Sequence, residues 1–290
     1  MKKTRSKKIP FALHLLRFIY NTAGRIFPVY FSSRAYEQWF TTIRFKTPAF
    51  EVHALESACH ESIIVNGIPV AVYVWQNKTI TQDKTLLFIH GWTGRGSQVA
   101  YYIKRLNAIG YRVISFDGIA HGKTPGTQTS AFEMADIVLT LNKHYGKFDA
   151  AITHSFGGMV LIYVMTLGLK FDCAALICPP NNFQVLLDNF QRILALPKNI
   201  TQRLARKSYA THGQILRDSL NTANNVKNIN CKGLVLHDEN DADISWHSGE
   251  EIAKNWPGAQ FIKTKNLGHR TIIRDETVIN NIIDFIKGAS

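Results

Sequence analysis

The sequence predicts an α/β fold: a mostly parallel sheet with helices on both faces, opened by an antiparallel hairpin and interrupted by one helical insertion. Three observations carry this. In "ESIIVNGIPVAVYVW" two β-branched runs meet at Asn66-Gly67, the strongest short hairpin signal a sequence offers. Beyond it, short apolar runs suited to strands buried on both faces alternate with segments of helical apolar spacing. From 181 to about 230 the alternation stops and only helical patterns remain.

Taken in order, "TLLFIHGW" predicts a strand, "SQVAYYIKRLNAIG" a helix stopped by Gly110, and "YRVISFD" a second buried strand. In "SAFEMADIVLTLNKHYG", Ser130 precedes Glu133 by three residues in a capping box and Gly146 closes the helix. "DAAITHS" predicts a strand, "GGMVLIYVMTLGL" a helix, and "CAALICPP" a strand ended by Pro179-Pro180. The insertion holds "FQVLLDNFQRILALP" and "THGQILRDSLNTA", both helical in spacing. Strand "CKGLVLHDEND", a helix around 246 to 256, strand "AQFIKT" and terminal helix "ETVINNIIDFIKG" complete the chain.

The net charge of +13 is unevenly spread. Residues 1–46 hold ten Lys/Arg against one acid, Glu37, a net of +9 that leaves +4 for the rest. The sequence therefore divides into a basic N-terminal segment, 1–58, and a domain from 59 to 290. Leu13, Leu16, Ile19/Tyr20, Ala23 and Phe27 recur at three- to four-residue intervals, which predicts an amphipathic helix. Its stripe either packs on the main domain beneath a solvated basic tail, or docks on an anionic membrane surface with Lys2 to Lys8. The charged start resembles an export signal, but His14 and Arg17 interrupt the apolar run and no A-x-A-like site follows cleanly. No apolar run reaches the roughly eighteen residues a spanning helix needs. Nucleic acid is not an expected partner, because the basic residues lie in no recognised binding module. Cys59, Cys173, Cys178 and Cys231 form no C-x-x-C pair or zinc spacing, so reduced thiols, no bound metal and a cytoplasmic location, peripheral at the inner membrane surface if the stripe docks there, are expected.

Ligands of open α/β sheets gather outside the carboxyl ends of the strands. Polar residues collect at four such ends, "HGW" at 90, "DGIAHG" at 117, "HSFGG" at 154 and "DENDAD" at 238, with His269 beyond the last strand. A serine hydroxyl becomes a nucleophile when an imidazole takes its proton, and a carboxylate must orient that imidazole. Ser155, then Asp241 86 residues on, then His269 a further 28, supply these parts in order. Asp238 and Asp243 are substitutes for Asp241, and His247 is better placed to begin a helix. His90 and His121 precede the serine and are expected to organise loops.

From about residue 60 onward the sequence resembles the α/β-hydrolase superfamily, in particular bacterial serine hydrolases of the carboxylesterase type. "HGWTG", "DGIAHGKTPG", "THSFGG", "LHDENDADI" and "LGHR" match five of its blocks in the right order. The resemblance implies Ser155 as nucleophile, His269 as general base and acid, Asp241 as its orienting carboxylate, and the backbone N–H groups of Trp92 and Phe156 as oxyanion hole. Gly157 and Gly158 would leave room for the sharp turn at the serine. It also implies an acyl substrate, no cofactor, and a lid at 181–230 whose Phe183, Leu187 and Phe190 either line an acyl site or seal the lid to the sheet. Thr153, Asp238 and Ala120 depart from the family pattern, which has glycine at each position. The rival function is a ligand-binding or signalling protein on the same fold.

Overall fold

The computed structural model describes residues 11–76 and 84–289. Their contacts divide the chain into two units: the part up to Trp39 with Gln184–Leu216, and Phe40–Phe183 with the part from Arg217 onward. The stretch 1–58 thus divides at Trp39.

The larger unit is built on an eight-stranded sheet: β1 (Cys59–Val65), β2 (Ile68–Trp75), β3 (Lys84–Ile89), β4 (Tyr111–Phe116), β5 (Ala150–His154), β6 (Cys173–Ile177), β7 (Lys232–Asp238) and β8 (Gln260–Thr264). Its order is β1-β2-β4-β3-β5-β6-β7-β8. The hairpin β1-β2 and the pair β2-β4 are antiparallel, and every other neighbour is parallel. Asn66 (φ 49°) and Gly67 (φ 80°) both take the left-handed conformation that a two-residue hairpin turn needs. In β3, β5 and β6 almost every side chain is buried, because helices cover both faces.

On one face Leu86, Phe88, Ile152, Ala175 and Leu234 share a core with Tyr102, Leu106, and Val278 to Ile286 of the terminal helix Glu276–Ala289. Their alternate neighbours turn to the other face, where helices Ala131–Tyr145 and Phe156–Thr166 pack together. The first of these starts as its sequence predicts: Ser130 Oγ accepts the Glu133 N–H, and Gly146 ends it at φ 84°.

"SQVAYYIKRLNAIG" does not form one helix. It makes a 3₁₀ segment, Gly96–Tyr101, and a short α-helix, Ile103–Ala108. Loop anchors compete with helix propagation there: Asp117 Oδ1 accepts the Gly96 N–H at 2.8 Å, while buried Glu51 accepts from Arg95 (2.6 and 2.7 Å) and Ser97 Oγ (2.7 Å). Glu51 lies on helix Ala49–Glu56, which the apolar spacing did not predict.

In the smaller unit, helices Phe11–Asn21, Ala23–Ile26 and Pro28–Phe40 pack with Phe183–Leu194 and Lys198–Ser219. Arg17 Nε donates to the Ile193 carbonyl (2.8 Å), Asn21 Nδ2 to that of Ala195 (2.8 Å), and Trp39 meets Phe190 edge to face. The amphipathic helix is thus tied to the insertion through Arg17 and Asn21, while its buried Tyr20 meets Phe31 and Gln38 of helix Pro28–Phe40. Among the described residues, no helix is long and apolar enough to cross a membrane.

Candidate active site

The end of β5 turns directly into helix Phe156–Thr166, and Ser155 is the turn. Its backbone stands at φ 52°, ψ −119°, a conformation costly for a residue with a side chain. Bonds on both sides hold it: the Ser155 N–H donates to the Ile177 carbonyl, and its own carbonyl accepts from the Gly158 N–H. The following helix runs close to β3. A Cβ on Gly157 would overlap the Ile89 carbonyl oxygen and lie 2.8 Å from that of His90. A Cβ on Gly158 would lie 3.1 Å from Pro179 and 3.3 Å from Thr153 Oγ1, so this glycine leaves space for the threonine.

The structure brings Ser155, His269 and Asp241 into one line. His269 Nε2 is 2.9 Å from Ser155 Oγ, and His269 Nδ1 is 2.6 Å from Asp241 Oδ2. A carboxylate only accepts, so Nδ1 carries the proton and Nε2 offers its lone pair to the hydroxyl. The Asp241 side chain is fully buried and that of His269 nearly so. Burial alone would raise the Asp241 carboxyl; hydrogen bonds from His237 and His269, the His269 charge and the Ile244 N–H outweigh it and hold the group well below the usual carboxylate range.

Asp241 is itself fixed by more than the imidazole. Its Oδ1 accepts the N–H groups of Asp243 (2.8 Å) and Ile244 (2.9 Å), and Oδ2 has a second neighbour, His237 Nε2, at 3.2 Å. His237 is fully buried, with Nε2 also 3.1 Å from the Ile244 carbonyl. Gly249 makes room for this ring, since a Cβ there would lie 2.6 Å from Nδ1. Cys178, buried at a positive φ after β6, completes a group of donor atoms within 4.8 Å of one another. Both Asp241 oxygens are already occupied by N–H donors, so the group reads as a hydrogen-bonded anchor rather than a metal seat.

Two further side chains position the imidazole. His154 Nε2 donates to the His269 carbonyl (2.8 Å); burial, then the nearby His269 charge, push its pKa down to about 3, so it stays neutral. Asp238 pins the loop before His269: Oδ1 accepts the Gly268 N–H (2.9 Å), and Oδ2 accepts the Leu267 N–H (3.1 Å) and Thr264 Oγ1 (2.8 Å). Asp243 lies farther out, 4.0 Å from Arg270 Nε.

Opposite the serine, Trp92 sits in a loop clamped on both sides. His90 Nδ1 donates to the Gly91 carbonyl, and His121 Nε2 accepts the Thr93 N–H. Burial lowers both imidazoles, to about 4 and about 3, which keeps each a neutral donor–acceptor pair. Trp92 and Phe156 rings meet edge to face at 5.2 Å. Among the described hydrogen bonds, neither the Trp92 nor the Phe156 N–H is taken by a protein acceptor, and the latter opens a helix, where amides face incoming negative charge.

Residues 84–226 match the family model of the alpha/beta hydrolase fold. The chain belongs to the α/β-hydrolase superfamily. Solved structures share this hydrolase fold across most of its length. A candidate lipase from Acinetobacter baumannii superposes with TM-score 0.63 at 20% identity, over 84% of this chain and 98% of its own. The meta-cleavage product hydrolase of Pseudomonas fluorescens gives 0.57 at 18%, over 79% and 98%. Epoxide hydrolase of Vigna radiata gives 0.58 at 15%, over 81% and 99%. At these identities the likeness concerns the fold. No curated protein matches the sequence. Against the hydrolase pattern, Ala120 stands at φ 66°, where glycine is usual and a methyl side chain is strained. The positioning roles of His154, His237 and Asp238 escaped the sequence reading. His237 and Asp241 are four apart around a strand end, and nothing in that spacing says the chain turns back to join them.

Proposed function

We propose that the protein is a serine hydrolase that cleaves a carboxylic ester or related acyl bond through an acyl-enzyme. The observation that carries this is the line from Ser155 Oγ through His269 to Asp241. Ser155 attacks the acyl carbon as its proton passes to His269 Nε2. The imidazolium is stabilised by Asp241, and the oxyanion is held by the N–H groups of Trp92 and Phe156, each contributing about 3 kcal/mol. Collapse of the intermediate expels the alcohol, which takes the proton from His269. Water, deprotonated by the same imidazole, then attacks the ester on Ser155 and returns the enzyme. Epoxide-opening chemistry on this fold uses an aspartate at the turn, and a serine there favours acyl transfer. A fluorophosphonate probe tests the reading: it should label the wild-type protein and not Ser155→Ala. A folded wild type that stays unlabelled would favour a ligand-binding role instead.

A further inference from the structure

Helix Phe11–Asn21 is apolar on two faces, and only one is covered. Tyr20 is buried, with its hydroxyl on Gln38 Oε1 (2.7 Å), and Arg17 is tied to the insertion. On the far side Phe11, Leu15 and Phe18, spaced i, i+4, i+7, stand in solvent, Phe11 at 82% exposure. Ile26, Val29 and Tyr30, on the next two helices, are exposed as well. Such a surface on a monomer marks a docking site.

Charge decides what docks. Residues 1–36 carry eight Lys/Arg and no Asp or Glu, with Lys2, Lys3, Arg5, Lys7 and Lys8 directly before the stripe and Arg25 exposed within it. A second copy would bring two strongly basic segments together, and like charges repel. An anionic bilayer satisfies both parts: aromatic and aliphatic side chains enter the interface while the lysines meet acidic headgroups. Attachment of such a helix strengthens with the apolar area it buries and with its attraction to anionic lipids, and this segment supplies both. We infer that the exposed stripe of residues 11–30, preceded in the sequence by the cations of residues 2–8, is a peripheral docking surface for anionic membrane.

Co-sedimentation of the full-length protein with vesicles tests this. Binding to phosphatidylglycerol and phosphatidylcholine in equal parts should be at least about tenfold tighter than to phosphatidylcholine alone, and should weaken as salt screens the lysines. K2Q/K3Q/K7Q/K8Q, with an unchanged circular dichroism spectrum, should lose the preference for anionic vesicles. F11S/L15S/F18S, with an unchanged circular dichroism spectrum, should lose binding to both. The inference is overturned if the wild type stays in the supernatant with both vesicles, or if either variant sediments as the wild type does. It is overturned equally if the wild type forms a dimer that F11S/L15S/F18S abolishes while vesicles bind neither, which would assign the stripe to a second copy.

Discussion

At the scale of single residues, the shared carboxylate of Asp241 sets the geometry. Its tight 2.6 Å bond to His269 and its longer 3.2 Å approach to His237 divide one oxygen between two imidazoles. If His237 positions the acid, His237→Phe keeps the ring's shape and removes the donor. Loss of a charge-assisted hydrogen bond costs about 1.5–3 kcal/mol, and since this one is shared with the Ile244 carbonyl, we expect kcat to fall about tenfold with KM little changed. His237→Gln, which can still donate, should recover most of it. Steady-state kinetics on a p-nitrophenyl ester checks this; an unchanged kcat in His237→Phe would deny the residue a part in catalysis. The meeting of Ser155 with His269 was readable because the motif blocks fix the register of both residues. His154 and Asp238 were not readable as positioning groups, because each acts on the backbone of a loop more than twenty residues away.

At the scale of elements, the turn between β5 and its helix depends on how closely that helix approaches β3. Gly157→Ala sets a methyl group against the Ile89 and His90 carbonyls, and no flexible side chain can yield there. Overpacking of this kind costs about 1–3 kcal/mol, and relief by tilting the helix would carry the Phe156 N–H away from the serine. The expected result is a lower urea midpoint together with a large loss of esterase activity; a variant with wild-type values for both would show that the close approach is unimportant. The strands were legible for a related reason. A strand buried on both faces has to be an uninterrupted apolar run, so "TLLFIHGW" and "CAALICPP" announce themselves. The segment after Trp92 was misread because its apolar spacing fits a helix while Asp117 and Glu51 anchor it as a 3₁₀ turn. Helix Pro28–Phe40 was missed because the pattern seemed to end at Phe27, before a proline that in fact begins the next helix.

At the scale of the whole molecule, three buried neutral histidines make stability depend on pH. His90, His121 and His154 are held at about 4, 3 and 3 by burial, against 6.5 when unfolded. Between those values the unfolded chain binds more protons than the folded one, so stability is full above about pH 6.5 and falls as pH drops toward 4. Each histidine contributes up to about 1.4 kcal/mol per pH unit. Asp241, depressed in the folded state, keeps its contribution above its ordinary carboxylate range and loses it only in stronger acid. Urea unfolding at pH 7 and pH 5 should show the decline, and His154→Gln should reduce it; equal stability at both would contradict the buried-neutral assignment. The charge asymmetry of the chain was plain from composition. The second apolar face of the first helix was not, because spacing cannot tell which of two apolar stripes the fold will cover.

The central claim is that Ser155 carries the acyl group and that His269 and Asp241 make it reactive. Peptide mapping by mass spectrometry of the fluorophosphonate-treated protein tests it most directly. The account predicts a single adduct on the peptide containing Ser155, formed far more slowly in His269→Ala and Asp241→Ala. An adduct on any other residue, or one on Ser155 that forms at the wild-type rate without His269, would contradict it.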